Sequence, residues 1–161
     1  MARARKVEGI APEDSYASVA ASVVGVRAQE VFAHRDGVLA AADVEPLHDM
    51  RVATRRLRAA LELFDSCFPR ADFAQALRDV KRLADALGAR RDLDVQIELL
   101  EGYARESSPE ERAALRTFVE QLRVEQAEAN AQLAVALQEI EQEDLEGMLD
   151  RLAARASRRP R

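Results

Sequence analysis

Leu47-His48-Asp49-Met50-Arg51-Val52-Ala53-Thr54-Arg55-Arg56-Leu57-Arg58 is the stretch on which the reading of this chain turns. On a wheel of about 100° per residue, Met50, Ala53, Leu57, Ala60, Leu61 and Phe64 gather on one side, the core face of an amphipathic helix. His48, Arg51, Arg55 and Arg58 follow at spacings of three, four and three on the opposite side. Arg56 sits on one flank of that stripe. Glu62 extends the line, but no acid lies within it between His48 and Arg58.

A solvated helix face ordinarily interleaves acids and bases, because like charges in line repel. A row of arginines with a histidine costs stability unless an anion answers it. The planar guanidinium fork is also the side chain best matched to phosphate oxygens. Ten residues of helix rise roughly 15 Å, so the row forms a ladder for several phosphates rather than a pocket for one. The stripe alone leaves a second reading of equal weight, in which neighbouring helices supply acids to pair with these arginines.

Working outward, Pro46 opens this helix and Pro69 breaks it after about Phe68. An earlier helix is expected from about Pro12 to Ala42, with Glu13 and Asp14 suiting the positive end of its dipole. A third is expected from Ala71 to Leu87, with Gly88 as its C-terminal cap, and a fourth from an Asp92 N-cap to about Gly102. Ser108-Pro109-Glu110-Glu111 is a strong helix start, joining an N-cap serine, a first-turn proline and a capping-box glutamate. Behind it Leu115, Phe118, Leu122, Gln126, Ala129, Leu133, Leu137 and Ile140 recur every three or four residues, Gln126 being the one polar break. A last helix is expected from Leu145 to Arg155. The fold class is therefore all-α, an antiparallel bundle of about six helical segments. Residues 1–11 are expected to be a flexible basic N-terminus, 12–157 a single domain, and 158–161 a basic tail.

Composition agrees. Nearly half of the 161 residues are apolar, mostly Ala, Leu and Val; there is no Trp, and Gly and Pro number six and five. Such a mixture suits helices. Cys67 is the only cysteine, so neither a disulfide framework nor a cysteine metal cluster is available, and a small buried thiol is expected. No signal peptide or membrane span is evident, which points to the cytoplasm.

Charge is strongly polarised. Residues 48–91 carry 10 basic and 6 acidic side chains, whereas residues 92–150 carry 4 basic and 16 acidic ones. So acidic a half would repel a long nucleic acid, although a polyanion could be held locally. Only two lysines occur, Lys6 and Lys81. Lys81 flanks the third helix's core stripe of Phe73, Leu77, Val80 and Ala84, and is expected to lean towards the neighbouring helix. Arg90 and Arg91 follow the Gly88 turn, and Arg91 would lie beside exposed N–H groups at a helix start, a ready anion site. Asp92 and Asp94 are read as caps and dipole partners. Arg27 and His34, one heptad apart on the first helix beside Tyr16, Ala20, Val23, Val31 and Val38, are two additional candidates. They either face the phosphate channel or snorkel from the stripe's edge, and the edge reading is preferred.

The Leu47–Arg58 stretch closely resembles the signature of the CHAD family, the conserved histidine α-helical domain. Leu83-Ala84-Asp85-Ala86-Leu87-Gly88-Ala89-Arg90-Arg91-Asp92-Leu93-Asp94-Val95 resembles that family's second landmark, at the expected distance. The resemblance implies an all-helical protein that binds inorganic polyphosphate through basic residues lining a groove or cavity, some members being found on polyphosphate granules. It points to His48, Arg51, Arg55, Arg56 and Arg58, then to Lys81 and Arg91; Arg90 joins them as a candidate polyphosphate-binding residue. The second half of such a domain, with its own basic signature ending in Arg-Tyr, has no counterpart here. A half-length or truncated member is therefore expected, either an open single bundle or one half of a homodimer that rebuilds the cavity.

Rival functions are weaker. Glu139-Ile140-Glu141-Gln142-Glu143 is a charge run whose carboxylates point to different sides of a helix, and it reads as a solvated segment rather than a metal site. No nucleophile–base pair is recognisable, so neither catalysis nor a cofactor is expected. Without aromatics interleaved among the arginines, base stacking is unsupported and sequence-specific nucleic-acid readout is not expected. The alternatives are a helical adaptor or a weak RNA or nucleotide-phosphate binder.

Overall fold

Cap chemistry and proline set the helix boundaries. The computed structural model describes residues 3–40 and 44–156, and the basic tail expected at 158–161 lies outside them. Ser15 caps α1 (Tyr16–Ala33), its hydroxyl accepting from the Ser18 N–H at 3.1 Å. The helix thus begins four residues later than Pro12, because Asp14 folds back to accept from the Ala11 N–H at 2.8 Å. It also ends well short of Ala42: His34 closes it, and Gly37, at φ +79°, takes the left-handed turn that follows. α2 (Glu45–Leu63) carries Pro46 in its first turn, and a single 3₁₀ turn, Asp65–Cys67, leads to Pro69, the N-cap of α3 (Arg70–Glu106).

α3 corrects the largest expectation. Its 37 residues form one continuous helix, not two, and Gly88 and Asp92 lie inside it. The reason is a buried face that never breaks: Ala76, Val80, Leu83, Leu87, Arg90, Asp94 and Ile97 alternate spacings of four and three straight past the glycine. A mid-helix glycine costs only about 1 kcal/mol, and that continuous face outweighs it. Arg91 accordingly has no free helix start beside it.

Ser107 closes α3, and α4 (Pro109–Gln142) returns antiparallel along it. The capping box at its start is complete, with Glu111 N–H donating to Ser108 Oγ and Ser108 N–H to Glu111 Oε2 at 3.0 Å. Ser108→Ala is expected to cost about 1 kcal/mol in urea unfolding; no loss would show that Pro109 alone fixes this helix start. α5 (Leu145–Ala154) follows an Asp144 N-cap held at φ 52° and packs on α1, α3 and α4.

The main core joins all five helices. Val24, Val31, Met50, Leu57, Leu61, Phe68, Val80, Leu83, Leu87, Leu133, Leu149 and Leu152 are buried in one cluster, and Cys67 is buried among them. The whole predicted core face of α2, from Met50 to Phe64, is inside. On α4, however, Phe118 is 49% exposed and Val119 takes the buried position. Val119, Leu122 and Ile97 form a second, small cluster towards the tip of the α3–α4 hairpin. Tyr16, read as core, is an edge residue whose ring lies tilted against Phe64, centroids 5.0 Å apart, and which donates to the Leu63 carbonyl.

Between the two clusters lies a polar layer. Arg90, 2% exposed, donates to Asp94 on its own helix and to Asn130 Oδ1 of α4 at 3.3 Å. Gln126 Nε2 donates to Asp94 Oδ1 at 2.6 Å, which explains the polar break in the α4 stripe. Asn130 Nδ2 reaches the Leu39 carbonyl after α1, tying the turn to the hairpin.

Candidate functional site

The basic row stands where α2's core face puts it. Met50, Ala53, Leu57 and Leu61 lock that helix between α1 and α3, so the opposite side is held outward. Thr54, buried on the core side, returns its hydroxyl to the Met50 carbonyl at 2.8 Å. Arg55 is exposed, and His48, Arg51, Arg56 and Arg58 are half-buried, their stems packed on the bundle.

α3 brings a further cation alongside. Arg58 Nε donates to Glu62 Oε1 at 3.0 Å, and Lys81 Nζ of α3 lies 3.5 Å from the same oxygen. One carboxylate therefore bridges the cations of two helices. The Arg58 hydrogen bond, with the charge of Arg58 and Lys81 behind it, holds Glu62 below the usual carboxylate range. What this pair contributes to stability is present above the ordinary glutamate value and is lost as pH falls through the lowered one.

Several arginines elsewhere are answered by acids. Arg35 pairs with Glu141, Arg82 with Asp79, Glu139 and Glu143, Arg123 with Glu101, Arg151 with Asp144 and Arg155 with Asp72. His48, Arg51 and Arg55 make no side-chain hydrogen bond or ion pair with another described residue. The acid that answers Arg58 is thus Glu62 of α2 itself, and no acid of a neighbouring helix pairs with Arg51 or Arg55 among the described residues.

The second-landmark residues fare differently. Arg90 is inside the polar layer, and burial pushes its guanidinium down from its ordinary value. Asp94 is its ion-pair partner rather than a dipole match, and Asp92 is a mid-helix residue rather than a cap. Arg91 is half-buried, with Nη1 enclosed and unbonded among the described residues. On α1, Arg27 donates to Glu30 at 2.6 Å and to the Arg5 carbonyl at 3.0 Å, and the Arg5 N–H donates to Glu30. Arg27 is thereby committed to docking the N-terminal segment, while His34 caps α1. Neither is tied to the α2 row. Among the described residues no group of three or more His, Cys, Asp or Glu side chains is placed to hold a metal ion, and no helix is long and apolar enough to cross a membrane.

The sequence model of the CHAD domain matches residues 23–161. The chain belongs to the CHAD family. The match covers all five helices but for the first turns of α1, and it includes both the α2 row and the Leu83–Val95 stretch. A search of curated proteins returned no match. Within this CHAD fold, the sequence reading missed the polar layer, although Gln126 in an apolar stripe and the unbroken four-three spacing through Gly88 were signals for it.

Proposed function

We propose that this CHAD protein binds inorganic polyphosphate in the cytoplasm, without catalysis, along the outward face of α2. The observation that carries the reading is the acid-free row His48, Arg51, Arg55 and Arg58, in which Arg51 and Arg55 have no protein partner among the described residues. Arg56 on its flank and Lys81 from α3 widen the row, and Arg91, farther along α3, is the outermost candidate. Arg90 supports the site through the packing of α3 rather than by contact. A second copy of the chain would supply a facing basic helix.

Successive cations on one helix face suit a flexible anion with closely spaced charges, whereas a nucleic acid offers sparser phosphates and bases that find no stacking partner here. Competition between polyphosphate and single-stranded RNA of equal total charge tests this. Polyphosphate is expected to displace RNA at substoichiometric charge, and preference for RNA overturns the reading.

Glu62 competes with phosphate for Arg58 and Lys81. Glu62→Gln is expected to tighten polyphosphate binding by about two- to fivefold, the worth of an exposed ion pair. Equal or weaker binding in a fluorescence titration would place the ligand away from this end of the row.

A further inference from the structure

A second basic site lies at the other end of the molecule, in the half of the chain richest in acids. Residues 92–150 contain four basic side chains, Arg105, Arg112, Arg116 and Arg123. All four line one cavity of about 580 Å³ between the end of α3 and the start of α4. They fall within residues 105–123, around the hairpin turn, a span that also holds the acids Glu106, Glu110, Glu111 and Glu120. Only Glu101 and Glu120 border the cavity with them.

Two of the arginines are already engaged. Arg112 donates to the carbonyls of Ala104 and Ser107 at 3.0 and 2.9 Å, closing the end of α3, and Arg123 pairs with Glu101 at 2.5 Å. These bonds fix the walls. Arg105 and Arg116, both exposed, make no hydrogen bond or ion pair with another described residue. Leu115 and the buried Val119 add apolar surface between them.

We infer that this cavity at the α3–α4 hairpin tip binds a small organic phosphate, its phosphates on Arg105 and Arg116 and its apolar part on Leu115 and Val119. Guanidinium forks match phosphate oxygens two at a time, and the volume suits a molecule of nucleotide size rather than a lone ion. The site is separate from the α2 row: even from Arg91, the candidate farthest along α3, to Arg105 is 14 residues, roughly 21 Å of helix.

The test is a titration of the full chain with ATP and with pyrophosphate, read by NMR on the Leu115 and Val119 methyls and the Arg105 and Arg116 Nε–H groups. ATP is expected to shift all four saturably and to bind more tightly than pyrophosphate. In Arg105→Ala/Arg116→Ala the methyl response should weaken by roughly a hundredfold, two charged hydrogen-bonding groups being lost, while the same shifts persist in Arg51→Glu/Arg55→Glu. Both truncated side chains are exposed, so the fold is retained, as circular dichroism will verify. Shifts no larger than those from sodium chloride of matched ionic strength overturn the inference. So do methyl shifts that survive the double truncation, or equal affinities for ATP and pyrophosphate.

Discussion

Arg51→Glu/Arg55→Glu will abolish polyphosphate binding while leaving helicity and melting temperature near wild type. Each reversal removes a guanidinium from the centre of the α2 row and puts a repelling carboxylate in its place. The change of four charge units at the middle of a row about 15 Å long is worth more than the loss of two contacts. A fall of roughly a thousandfold or more is expected in calorimetric titration at low salt, since multi-phosphate contacts of this kind scale steeply with charge. The fold should tolerate the change, because neither side chain pairs with another described residue and both lie off the buried face. Retained affinity would favour the helical adaptor reading, in which the row is only a solvated surface.

Arg90→Met will have the largest effect on stability. It leaves Asp94, 5% exposed and already carrying one buried oxygen without a partner, as an uncompensated charge between two apolar clusters. Breaking a buried pair from one side costs about 3–5 kcal/mol, a large part of the stability of a domain this size. Gln126 remains to donate to Asp94, which sets the expectation near the lower end. Arg90→Met/Asp94→Leu should recover most of the loss, since an apolar pair of similar volume joins the two clusters. Urea unfolding reads both variants, and a cost under about 1 kcal/mol for Arg90→Met would mean that water reaches the layer. Below its melting transition Arg90→Met should bind polyphosphate as wild type does; a large loss in the folded protein would return Arg90 to the contact set.

The α2 row was legible because it rests on local quantities: periodicity, sign of charge and the proline at each end. The all-α class, the Ser108 capping box, the core face from Met50 to Phe64 and the buried thiol of Cys67 were legible for the same reason. Gly88 misled because its usual role at helix ends is a statistical preference of small energy, while the packing that overrides it comes from α4, distant in sequence. Arg90 and Arg91 differ by one residue, yet one helical step of about 100° takes the first into the polar layer and leaves the second half-buried.

The sequence by itself determined that this chain is a helical bundle with an acid-free basic row on one helix face, because amphipathic period and charge order are written in consecutive residues. Only the tertiary structure decided which cations are spoken for. Lys81 meets Arg58 across Glu62, Arg90 disappears into a pair with Asp94, and arginines from the end of α3 and the start of α4 line one cavity at the hairpin tip. The physical reason is that an ion pair or a cavity depends on distances between elements, and those are set by how the helices pack rather than by their spacing along the chain.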